Sequence, residues 1–159
     1  MLMLRIDIRA LRQGPVSTEA DLASDDPVFT GLDLRLVGPV HVSGVLQASG
    51  RATFFWTGEV SGQVQGECRR CLTEVLSDFA TPAQAVFTTD PAATDDAAVY
   101  ALVEPVNHID LSEAVREEVV LAAPTYPLCR EDCAGLCPRC GADLNLGPCE
   151  HSSPPTPAG

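Results

Sequence analysis

The chain has 159 residues, 45% of them apolar, and a formal net charge of −12. That length and apolar content suit one domain with a real core and exclude a disordered chain. The charge excludes broad nucleic-acid binding through overall charge, because phosphate neutralisation needs a basic face; it suits a basic protein partner or solubility alone.

All ten basic residues are arginine. Four of them, Arg69, Arg70, Arg130 and Arg139, lie between cysteines. The planar guanidinium fork suits phosphate and carboxylate, so these four point to a local basic surface around the cysteines of an otherwise acidic protein. No run of about 18 apolar residues is present to span a membrane. Residues 1–8 lack the basic and long apolar regions of a signal peptide. The expected location is the cytoplasm, where thiols stay reduced.

In chain order, residues 2–8 alternate, with Leu2, Leu4, Ile6 and Ile8 on one side. This predicts a half-buried strand. Residues 14–30 are acidic, carry Gly14, Pro15 and Pro27, and lack a strong period. They are expected to be irregular, with one helical turn near Ser17 to Leu22. Leu32, Leu34 and Leu36 alternate next, followed by Val40, Val42 and Val45, with Gly38-Pro39 and Gly44 marking bends or bulges.

Ser49-Gly50 is a turn signal, and residues 52–64 are rich in Thr, Phe, Trp and Val, as a strand is. Residues 72–88 return as the partner strand, with Val75, Phe79, Val86 and Phe87 as core candidates. Cys68 and Cys71 therefore sit at the tip of a long hairpin. Residues 90–97 form a small-residue acidic loop, and residues 99–106 a further strand.

The clearest helix follows, over about residues 111–123. Asp110 with Glu113 resembles a capping box, and Pro124 ends the helix. Leu111, Ala114, Val115, Val119 and Ala122 share one face. Glu118 falls inside that face. Its carboxylate either reaches the rim and is solvated, or meets Arg69 or Arg70 at the hairpin tip.

Seven cysteines occupy two places: Cys68 and Cys71 at the hairpin tip, and Cys129, Cys133, Cys137, Cys140 and Cys149 near the end. Thiols at these spacings point to zinc, and Cys137-Pro-Arg-Cys140-Gly141 is a strong knuckle signature. The odd count and the reducing location disfavour disulfides. Ferredoxin spacings are absent, and neither Cys-x-x-Cys opens a helix as a redox dithiol would.

With His151, the ligand count is eight, or two tetrahedra. The partition that follows the chain joins Cys68 and Cys71 to Cys129 and Cys133, and Cys137 and Cys140 to Cys149 and His151. One alternative is a single site of Cys68, Cys71, Cys137 and Cys140; another leaves Cys68 and Cys71 without metal. Two zinc ions are expected, and at least one. Four protein ligands per ion leave no open position, which makes the metal structural. His41 and His108 are isolated and read as structural. No phosphate loop, dinucleotide fingerprint or nucleophile elbow is present, so no catalytic residue is expected.

Three segments carry a resemblance to a known family: Gly66 to Leu72, Ile109 to Val119 and Pro127 to Asn145. Together they resemble the YceD family of large ribosomal RNA subunit accumulation proteins, over roughly residues 30–151. The resemblance implies a non-enzymatic role in accumulation of large-subunit (23S) ribosomal RNA. The family's gene often lies beside that of the small basic large-subunit ribosomal protein thirty-two, which implies a related partner. Many members end in Cys-x-Cys where this chain has Cys149-Glu-His151, so His151 stands as a substitute ligand.

The expected fold class is α+β: a long bent antiparallel sheet, open to barrel-like closure, with one main helix and a C-terminal cysteine-rich zinc-binding tail. Residues 1–128 would form the β-rich core and residues 129–151 the metal-binding segment, docked on the hairpin tip at residues 66–72. Residues 152–159 would be disordered. Two functions are expected from these features. One is a ribosome biogenesis factor touching large-subunit rRNA or its precursor particle. The other is an acidic chaperone for a basic large-subunit ribosomal protein, resting on the charge and the acidic stretches at residues 19–33 and 90–96.

Overall fold

A computed structural model describes residues 4–90, 92 and 98–151. The start of the first expected strand, most of the acidic stretch at residues 90–96 and the expected disordered tail at 152–159 lie outside the described residues. The chain divides into two compact units. The first holds residues 1–64 and 78–123; the second holds residues 65–77 and 124–159.

The fold class is α+β, mostly sheet with two helices. Strand β1, Arg5–Asp7, pairs antiparallel with β8, His108–Asp110, through Ile6 opposite Ile109. The expected first strand ends early because Asp7 caps a short helix, α1, Ile8–Leu11. Its carboxylate accepts the Arg9 amide at 2.8 Å and pairs with the Arg9 guanidinium at 2.7 Å. The hydrogen bonds from Arg9 hold the Asp7 carboxyl at about 2, below the usual range.

The main sheet contains β2, Val16–Leu22; β3, Arg35–Leu36; β4, Val40–Ser49; β5, Thr53–Glu67; β6, Glu74–Thr88; and β7, Val99–Ala101. Its order is β2-β4-β5-β6-β7, with β3 beside β5. The sheet is open, so the barrel-like closure does not occur. It is also not wholly antiparallel: β7 runs parallel to β6, with Val86 opposite Val99.

The helical turn expected near Ser17 to Leu22 is instead β2. Thr18, Ala20 and Leu22 are buried while Ser17, Glu19 and Asp21 are exposed. This is a period-two pattern, hidden in the sequence because two of the three inward residues are small or polar. The bulge expected at Gly44 is likewise absent, since Gly44 pairs in register with Gly58. A Cβ on Gly44 would lie 2.5 Å from the Thr57 carbonyl oxygen and 2.8 Å from Trp56 Nε1. The glycine serves close strand approach rather than a bend.

The core of the first unit centres on Trp56, with Val42, Leu46, Val60, Leu111 and Val115 also sealed from solvent. On β6, Ala83, Ala85 and Phe87 point inward. Val86, expected in the core, therefore faces the other side and is half-buried.

Helix α2 spans Ser112–Ala122. The expected capping box is replaced by a shorter arrangement: Leu111 holds the cap position without a side-chain bond, and Asp110 accepts the Ser112 amide at 2.9 Å. Leu111, Ala114, Val115 and Val119 are buried as the helical period predicts.

The indole N–H of Trp56 donates to Thr18 Oγ1 at 2.9 Å, in a buried contact joining β5 to β2. Thr18→Val keeps the shape and removes the acceptor. It is expected to cost about 1–3 kcal/mol, read as a lower denaturation midpoint at unchanged slope.

Candidate metal centre

The second unit is built on two turns of the same design. In the first, Cys68 to Leu72 links β5 to β6. The Leu72 amide donates to the Cys68 carbonyl at 2.9 Å, and the Cys68 amide to the Thr73 carbonyl at 2.8 Å. In the second, the Gly141 amide donates to the Cys137 carbonyl at 2.9 Å, and the Cys137 amide to the Ala142 carbonyl at 2.8 Å. Residue five of each turn is left-handed: Leu72 at φ 65 and Gly141 at φ 75.

Glycine suits that conformation, whereas leucine costs about 1–2 kcal/mol there. Leu72 is 58% exposed, so packing of its side chain offsets little of that cost. The Cys-x-x-Cys spacing marks both turns as knuckles; what Leu72 hides from the sequence is that the fifth residue is left-handed in the first turn as in the second.

The tail is tied to the first turn by backbone and arginine contacts within this unit. The Arg69 amide donates to the Pro127 carbonyl at 2.9 Å. The Arg69 guanidinium donates to the Thr125 carbonyl at 3.2 Å and lies over the Tyr126 ring, 5.9 Å from its centroid. Arg70 Nη1 donates to the Cys133 carbonyl at 3.0 Å and to the Glu131 carbonyl at 3.3 Å. Gly135 is left-handed, at φ 79, and a Cβ there would make only ordinary contact, 3.4 Å, with the Arg70 carbonyl oxygen, so backbone conformation rather than crowding favours glycine.

These contacts assemble two groups of four ligand atoms. The sulfurs of Cys68, Cys71, Cys129 and Cys133 all lie within 4.8 Å of one another. The sulfurs of Cys137, Cys140 and Cys149 and a ring nitrogen of His151 do the same. Cys68 and Cys133 sulfurs are 3.7 Å apart, and those of Cys71 and Cys129 are 3.6 Å apart.

A tetrahedral ion with sulfurs at about 2.3 Å has edges of about 3.8 Å, which both separations match. A disulfide needs about 2.05 Å, and none of the seven cysteines is in one. Both groups could hold a metal ion, and their soft donors are compatible with zinc. The two Cys-x-x-Cys pairs fall in different groups, unlike the single-site alternative.

The groups differ in burial. Cys68, Cys71 and Cys133 are buried beside half-buried Val75, Leu128 and Leu136. In the second group Cys137 is buried, Cys149 half-buried, and Cys140 and His151 exposed. Burial pushes the Cys68 thiol up, but amides of Cys71, Cys129 and Arg70 aimed at the sulfur outweigh it and bring it down. Cys129 is the exposed member of the group, and partial desolvation of its sulfur among the other thiols, then their hydrogen bonds, push it up. Cys133 is lowered first by the Asn145 side chain, whose Nδ2 donates to the sulfur at 3.3 Å.

Asn145 also accepts the Ala134 amide at 2.8 Å, so it supports a sulfur and a turn at once. Sequence reading missed this role because Asn145 lies outside any ligand spacing. Of the other arginines expected at the site, Arg130 pairs with Asp132 at 3.7 Å on an exposed surface, and Arg139 is exposed. Glu118 is half-buried and its carboxyl is raised, first by desolvation and then by Glu117. His41 is bound to Asp21 at 2.5 Å, and His108 meets the Arg5 guanidinium.

The model of the family described as "Large ribosomal RNA subunit accumulation protein YceD" matches residues 56–158. The chain belongs to the YceD family. The match begins inside β5 and takes in both four-ligand groups. The family's description is of an accumulation factor and names no reaction.

The chain is also 37% identical over 129 residues to uncharacterised proteins of Mycobacterium bovis and Mycobacterium tuberculosis, covering 80% of this chain and 57% of each relative. An uncharacterised protein of Mycobacterium leprae is 34% identical over 95 residues, 57% of this chain and 43% of that one. The chain thus spans about half the length of the curated relatives it matches. No solved structure matches it.

Leu72→Gly is expected to relieve the left-handed strain of the first turn and to stabilise the metal-loaded protein by up to about 1 kcal/mol. Thermal unfolding checks the sign: a lower transition for the glycine variant would show that Leu72 packing outweighs the strain.

Proposed function

We propose that this chain is a non-enzymatic cytoplasmic factor supporting accumulation of large-subunit (23S) ribosomal RNA, with its second unit held by two structural zinc ions. The observation that carries the reading is the closure of both ligand groups. Eight donors stand in two sets of four, and an ion bound by all four donors of a set would have no position left for a reacting water. Cys68, Cys71, Cys129 and Cys133 would hold one ion and dock residues 129–151 onto the tip at 66–72. Cys137, Cys140, Cys149 and His151 would hold the other. Family membership supplies the link to rRNA, and among the described residues no helix is long and apolar enough to cross a membrane.

The RNA-facing surface in this reading carries Arg69, Arg70, Arg130 and Arg139. Arg69 and Arg70 spend donors on backbone carbonyls, so Arg130 and Arg139 are the cations more open to phosphate. A second reading, a chaperone for a basic large-subunit ribosomal protein, is favoured by one feature of the first unit. Glu19, Asp21 and Glu59 surround His41 and together raise its pKa, the Asp21 hydrogen bond most of all.

Two zinc ions per chain are expected by metal analysis, and one after Cys68→Ser. A strong chelator should lower the melting temperature, with hydrogen exchange rising first in residues 124–151. An unchanged transition after verified metal removal contradicts the structural role.

Arg130→Ala combined with Arg139→Ala should weaken retention of a large-subunit rRNA fragment and flatten its salt dependence by about two charges. Filter binding across a salt series reads both, and unaltered retention removes direct RNA contact at this surface.

A further inference from the structure

Strand β2 is an open edge of the main sheet. It pairs with β4 alone, and among the described residues no other strand lies beside it. It is also regular: all seven residues, from Val16 opposite Leu46 to Leu22 opposite Val40, keep register with β4. Exposed edges are ordinarily blunted by charged side chains, proline, a bulge or shortness, because their unpaired N–H and C=O groups invite another strand. The opposite edge, β7, has three residues. β2 is seven residues long with no proline or bulge, and its only edge charges are the carboxylates of Glu19 and Asp21, which oppose an acidic or neutral strand but not a basic one.

Its outward side chains are Ser17, Glu19 and Asp21. The register extends their charge across the sheet: Glu19 stands opposite Ser43 and Ser43 opposite Glu59. Asp21 stands opposite His41, whose ring nitrogen it holds at 2.5 Å. The next row places Ser17 opposite Val45, which is 42% exposed. The edge thus presents a backbone ladder flanked by carboxylates, with an apolar side chain in the adjoining row.

We propose that the β2 edge accepts an extended basic segment of a partner protein as an added strand. Backbone N–H and C=O groups of β2 supply the ladder, and Glu19 and Asp21 select lysine or arginine at alternate positions of the incoming chain. A second copy of this chain is a poor occupant, because pairing two β2 strands brings carboxylates together and no lysine is available to offset them. A nucleic-acid strand is repelled by the same carboxylates. The inference rests on the protein-partner reading above and gives it an address.

The test titrates the full zinc-loaded chain with a capped peptide of alternating lysine and valine, about eight residues long, enough to span the edge. The expected result is binding with protection of β2 amides from hydrogen exchange. N-methylation of alternate peptide amides, and Glu19→Gln with Asp21→Gln in the protein, should each weaken binding at least about tenfold, through lost ladder bonds and lost charge. Equal binding of the N-methylated peptide to the unaltered protein, or binding without protection in β2, overturns the proposal whatever the folding of the variant.

Capture from cells separates this proposal from the reading beneath it. Basic large-subunit proteins retained equally by the unaltered chain and by the glutamine variant keep the partner and remove the edge. Recovery of large-subunit RNA with no basic ribosomal protein removes the reading and the edge with it.

Discussion

The convergence of four sulfurs from Cys68, Cys71, Cys129 and Cys133 is the contact on which the second unit depends. Two come from a turn between long strands and two from a segment some sixty residues later. Few apolar side chains support this unit: Val75, Leu128 and Leu136 are its half-buried packing around the thiols. A segment so poor in core leans on its backbone hydrogen bonds, and a metal held by these thiols would add ligand bonds as in small metal-stapled domains. A metal closing a loop of that length would also remove much conformational freedom from the unfolded chain, more than a local site would.

Around that convergence, arginines act as clamps. Arg69 and Arg70 project from the first turn and bind carbonyls of Thr125, Glu131 and Cys133. Their charge also lies close to a thiol-rich group whose bound form would be anionic. Local positive charge between cysteines, taken alone, suggests a surface for phosphate; the geometry gives much of it to the protein's own backbone. The acidic outer face of β2 and β5 belongs to the first unit and has its own electrostatic character.

Much of the site was legible because ligand chemistry is written in spacing. Cys-x-x-Cys pairs, Gly141 and the count of eight donors led to the two groups that the structure brings together. Less was legible where the residue type disagreed with its role. Leu72 holds a position that favours glycine, and Asn145 serves a sulfur from outside any motif. In the fold, the helix and the long hairpin were readable from periods of 3.6 and 2. The strand at Val16–Leu22 was not, because Thr18 and Ala20 are weak hydrophobic markers. Gly44 was read as a bend or bulge because only its partner, Gly58, reveals why the side chain is missing.

By itself the sequence determined the family, the α+β class, the helix near residues 111–123 and the inventory of soft ligands, all of which depend on local pattern. Tertiary structure decided which thiols face one another, that the sheet stays open with a parallel last pair, and that β2 is left as an acidic edge. Those outcomes depend on register and on contacts between residues far apart in the chain. A one-residue pattern carries no record of them, since the same alternation serves an edge strand and a central one equally well.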